Sequence, residues 1–109
     1  MISPRALSLF ALFLAPLARA DDAGATVWMS RCKGCHGLDG RAQTPVGEKE
    51  KIPDFSSVKW QKAFADPDVR EVVAHGSPSN SKMKPYEERL SPAEIDAVVR
   101  YIRTLRSGT

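Results

Sequence analysis

One run of five residues constrains this chain more than anything else in it: Cys32-Lys33-Gly34-Cys35-His36. It holds both cysteines of the 109-residue sequence and one of its two histidines. Cysteines three apart lie on one side of a helical turn, so their sulfurs reach out together. The next residue, His36, is then carried beneath whatever the sulfurs hold. This is the attachment pattern for c-type haem: Cys32 and Cys35 form thioethers to two vinyl groups on one porphyrin edge, and His36 supplies an axial bond to the iron. Other uses of the motif fit less well. A thioredoxin-like dithiol needs a βαβ context, and no alternating strand pattern is visible. A structural zinc site needs four ligands, and Cys32, Cys35, His36 and His75 do not have the required spacing.

The first twenty residues read as an export signal. Arg5 charges a short leading segment, Ala6 to Leu17 is a mostly apolar run of twelve, and Ala18-Arg19-Ala20 is a small-x-small cleavage pattern. A bilayer span needs about twenty apolar residues, so this run is too short. The expected division is a signal peptide over 1–20 and one domain over 21–109, with the periplasm as its compartment. A domain of that size has a marginal core of its own, and a buried haem would enlarge it. The whole sequence carries net charge +3. Without Arg5 and Arg19 it keeps 14 basic against 13 acidic side chains, net +1, and two haem propionates would bring it near −1. That balance gives no ground for nucleic-acid binding.

Three helices are expected, making the domain all-α. The first covers about 22–33, carries Val27 and Trp28 on its apolar side, delivers the cysteines and ends near Gly34. The second covers 66–75, with Asp66 as N-cap, Pro67 at the first helical position, Val69, Val72 and Val73 as its apolar face, and Gly76 as its stop. The third opens with the capping box Ser91-Pro92-Ala93-Glu94. It continues with Ile95, Val98, Val99, Ile102 and Leu105 at helical spacing. A fourth, shorter helix around 58–65 is conceivable. Two long loops, 37–65 and 76–90, remain, and loops of this length in a small domain are usually functional or wrapped around something.

The distal iron ligand follows by elimination. Beyond the leader there are two methionines. Met29 lies on the helix that tethers the ring edge and reads as core filler. Met83, in Lys82-Met83-Lys84-Pro85-Tyr86, is the expected ligand. His75 is its competitor, and an open sixth position is the third alternative.

These residues resemble the class I cytochrome c family in its short bacterial periplasmic form, over essentially all of 21–109. The resemblance implies three to four helices and long loops wrapped around one covalently bound haem c. It places Gly24 and Trp28 of the first helix against Tyr101 of the last. It matches Met83 to the family's distal methionine, although here Lys84 separates Met83 from Pro85. It also suggests Pro45 as the carbonyl that orients His36, and Trp60 as a propionate contact whose alternative is ordinary core packing. The implied function is not enzymatic: single electrons pass between protein redox partners at a histidine–methionine iron. The alternatives are a haem-bearing subunit of a periplasmic oxidoreductase and, less favoured, a ligand-binding or peroxidatic protein with an open site. Lys33, Lys82 and Lys84 are candidates to rim the ring edge and steer an acidic partner, against the plainer reading of a solvated loop surface.

Overall fold

The cysteine motif is delivered by a helical run that is longer than its sequence suggests. The computed structural model describes residues 20–107. The expected signal peptide therefore lies outside the described residues, apart from Ala20, which opens α1. α1 (Ala20–Val27) passes into a widened π-helical turn (Trp28–Cys32) and then into α2 (Lys33–His36). Lys33 N–H bonds to the carbonyl of Trp28, five residues back. Such single π turns inside helices are frequent at functional sites. The run stops at Gly37 (φ 82°), not at Gly34 as expected. Gly34 stays helical, whereas Gly37 takes the positive φ that glycine adopts without steric cost.

The segment 37–65 is not one loop. α3 (Pro45–Lys49) is capped by the Thr44 hydroxyl, which accepts from Gly47 N–H, and has proline in its first turn. α4 (Val58–Ala63) is capped by Ser57, whose hydroxyl accepts from Trp60 N–H. α5 (Asp66–His75) has the expected span, but its N-cap is Ala65. The Asp68 carboxylate accepts from Ala65 N–H at 3.0 Å, which moves the cap one residue upstream of Asp66. α6 (Pro92–Thr104) carries the full capping box between Ser91 and Glu94. There is no strand among the described residues, and none of their helices is long and apolar enough to cross a membrane.

α1 and α6 cross at Gly24, and the crossing sets the architecture. A methyl group at Gly24 would come within 2.3 Å of the Ala97 carbonyl oxygen and 3.0 Å of Tyr101 Cβ, so only glycine lets the helices meet this closely. Trp28 and Tyr101 pack beside it, with ring centroids 5.8 Å apart and planes tilted by 44°. The core gathers Val27 and Trp28, Val69, Val73 and Ala74 of α5, Leu90, and Ile95, Val98, Val99 and Ile102 of α6. Burying each of the large aliphatic side chains stabilises by about 1.5–3 kcal/mol. The one core therefore joins the helix that carries the cysteines to the last helix of the chain.

Candidate haem site

Cys32 closes the π turn, and Cys35 and His36 end α2, so one helical segment presents all three. Both thiols are free, Cys32 half-buried and Cys35 exposed. Burial, and then the neighbouring charge of Cys35, push the Cys32 thiol up to about 11. A thiol of this kind is not the low-pKa nucleophile that dithiol exchange requires.

The His36 ring lies among aromatics, 4.7 Å from Phe55 in a stacked arrangement and 5.7 Å from Trp28. Burial pushes its pKa down to about 4, so the imidazole is neutral at physiological pH and can act as a metal ligand. Its Nδ1 is enclosed and has no hydrogen-bond partner. An orphaned polar atom of this sort costs about 1–3 kcal/mol and needs an explanation other than packing. The expected role of Pro45 fails here. Pro45 opens α3, and no carbonyl, its own included, meets Nδ1. The hydrogen bonds that do fix this segment were not among the expectations from the sequence. Trp28 Nε1 donates to the Gly37 carbonyl at 3.1 Å, Ala42 N–H to the His36 carbonyl at 2.8 Å, and the Thr44 hydroxyl to the Cys35 carbonyl at 2.6 Å.

Met83 is half-buried in a loop of turns held from three sides. At the end of α5, Gly76 (φ 84°) packs so close that a side chain there would come within 2.8 Å of the Met83 carbonyl, which itself accepts from Ser77 N–H at 3.3 Å. On a second side, Glu50 accepts from Asn80 Nδ2 and Lys82 Nζ. On the third, the Tyr86 hydroxyl donates to the Arg31 carbonyl at 3.4 Å, one residue before Cys32. Lys84 between Met83 and Pro85 is exposed. The competitor His75 is engaged elsewhere: Nδ1 meets Glu71 at 2.8 Å and Nε2 meets Glu87 at 3.1 Å. Met29 is exposed, contrary to its reading as core filler.

Trp60 is half-buried, stacked on Phe55 at 4.2 Å with Phe64 at 5.5 Å, and so continues the aromatic row that begins at His36. The Arg103 guanidinium lies 5.9 Å from its ring and binds Asp66, the Gln61 side chain, and the carbonyls of Gln61 and Phe64. Of the three lysines expected at a ring edge, Lys33 and Lys84 are exposed, while the charge of Lys82 is paired with Glu50. Two unpaired thiols and a half-buried imidazole with an enclosed, unpartnered Nδ1 on one helical segment are a donor set that fits haem c. Cys32, Cys35 and His36 would hold it.

Comparison with known proteins points the same way. The family described as cytochrome C oxidase, cbb3-type, subunit III matches residues 19–102. The cbb3-type cytochrome c oxidase subunit FixPc of Rhizobium leguminosarum bv. viciae is 28% identical over 89 residues, which is 81% of this chain and only 29% of that protein. Among solved structures, the KustC0563 c-type cytochrome superposes with a TM-score of 0.70 at 32% identity, over 77% of this chain and 98% of that one. A single-residue mutant of it gives 0.68 at the same identity, over 77% and 99%. The chain belongs to the cbb3-type subunit III family of cytochrome domains, and it is a class I c-type cytochrome in fold.

Proposed function

We propose that this chain is a periplasmic electron carrier, with one haem attached through Cys32 and Cys35 and its iron bound by His36 and Met83. The observation that carries this reading is the single helical segment holding two free thiols and a half-buried His36 whose Nδ1 is enclosed without a partner. A haem bound there supplies one-electron chemistry at its iron. The chain's own residues do the rest. Cys32 and Cys35 would tether one edge, and His36 offers a half-buried ring packed against Phe55. The soft Met83 thioether fills the last position and favours the reduced state. With His36 and Met83 both bound to the iron, substrates would have no ready access, and the protein would act through its redox partners without catalysing a reaction of its own. Trp60 is placed beside the same aromatic row and is the candidate contact for a propionate.

The likeness to the KustC0563 c-type cytochrome, over 98% of that solved chain, supports the haem-bearing part of this reading. A second reading is favoured by a different observation. The family description and the FixPc relative both name an oxidase subunit, which supports a haem-bearing domain within a larger redox complex.

The test is optical. The chain is expressed with its own leader in a bacterium that matures c-type cytochromes, and spectra are taken oxidised and reduced, with and without carbon monoxide. The expected result is sharp reduced bands, a weak far-red band when oxidised, and no shift with carbon monoxide. A missing far-red band with a strong carbon monoxide shift contradicts ligation by Met83 and turns the reading toward ligand binding. Sizing the native periplasmic extract separates a free carrier from a subunit that comigrates with a large oxidoreductase.

A further inference from the structure

Glu50 follows α3 directly as its C-cap and binds two residues thirty positions or more away. One carboxylate oxygen accepts from Asn80 Nδ2 at 3.0 Å and the other from Lys82 Nζ. Asn80 relays this grip along the backbone. Its side-chain oxygen accepts from Lys82 N–H at 3.0 Å, and its carbonyl from Met83 N–H at 3.1 Å. The side chain of Glu50 is only 18% exposed, so its pairing is less screened than an open surface bridge. At the other end of α3, Thr44 caps the helix and holds the Cys35 carbonyl. Five helical residues therefore connect the cysteine turn to the Met83 loop.

We propose that Glu50 is a positioning residue that clamps Met83 in place as the distal ligand, with α3 as the strap tying this loop to the haem-attachment turn. The proposal rests on the reading of Met83 as the iron's ligand. In the variant without the carboxylate, Asn80 and Lys82 lose their common anchor and Met83 leaves its position more often.

The test uses the holoprotein with Glu50→Ala and Glu50→Gln, and Glu48→Ala as an exposed control on the same helix. Carbon monoxide is mixed with the reduced protein, because its binding must wait for Met83 to leave. Amide hydrogen exchange is followed in parallel. Loss of the two partly screened contacts that Glu50 makes corresponds to a roughly five- to tenfold change. Carbon monoxide binding by Glu50→Ala should speed up by that factor. The Lys82 and Met83 amides should exchange faster to a similar degree, while those of α6 stay unchanged. Glu50→Gln, which keeps a carbonyl acceptor, should fall between, and Glu48→Ala should match the unmodified protein. Unchanged carbon monoxide binding in Glu50→Ala overturns the clamp, as does faster exchange spread evenly through α6. Immediate carbon monoxide binding by the unmodified protein overturns the Met83 reading and the clamp with it, and this outcome is distinct from an equally slow reaction in both proteins.

Discussion

At the residue scale, the decisive chemistry is held by side chains whose surroundings differ sharply within five positions. Cys32 is half-buried with its thiol pushed up to about 11, Cys35 is exposed, and His36 is buried enough to stay neutral. Met83→Ala should lower the reduction potential by on the order of 0.1 V, a part of the roughly 0.8 V range over which axial ligands act. A potential unchanged in a voltammetric titration would remove Met83 from the iron. The Cys32–His36 motif stands out in the sequence because it is contiguous and its spacing has one main chemical use. Contacts that cross the chain left no such trace. Glu50 meets Lys82 across thirty-two positions, and nothing in Glu48-Lys49-Glu50-Lys51 distinguishes that carboxylate from a solvated one. Pro45 misled for a related reason. A proline after a threonine also marks the first turn of a helix, and that local role is the one it takes.

At the scale of elements, legibility followed length. α5 and α6 were readable because each has a capping signal and enough turns to repeat an apolar stripe. α3 spans five residues, too few to show a period, and Thr44-Pro45 was its one signal. The crossing of α1 and α6 gives a direct test. Gly24→Ala places a methyl group against the Ala97 carbonyl and should destabilise the fold by about 1–3 kcal/mol in denaturant titration. The cap of α6 makes a prediction about pH. The Ser91 backbone N–H, then its side chain, hold the Glu94 carboxyl below its ordinary value. A carboxylate whose pKa is depressed on folding contributes stability above its unfolded value, about 4.3, and that contribution is lost as pH falls through the folded value. The stability gap between the unmodified protein and Glu94→Ala should therefore be full at neutral pH and close in acid. A gap that did not change with pH would show that the Glu94 charge takes no part in the cap.

At the scale of the whole molecule, two connecting segments and one small core are arranged around the cysteine turn. The core joins α1, α5 and α6, while the 37–65 and 76–90 segments are fastened back onto the cysteine turn through Thr44 and Tyr86. A domain of this size gains little margin from its core alone, so a group bound between these segments becomes part of what holds them. Cys32→Ala with Cys35→Ala should accordingly give a poor yield of coloured protein and a lower melting temperature in any that forms. The measurement that tests the central claim most directly is the intact mass, under denaturing conditions, of the protein matured in a bacterium that assembles c-type cytochromes. The account predicts a polypeptide beginning at Asp21 that carries the added mass of one haem, lost when Cys32 and Cys35 are both replaced by alanine. A bare polypeptide mass from coloured protein, or full haem retention in the doubly substituted chain, would contradict it.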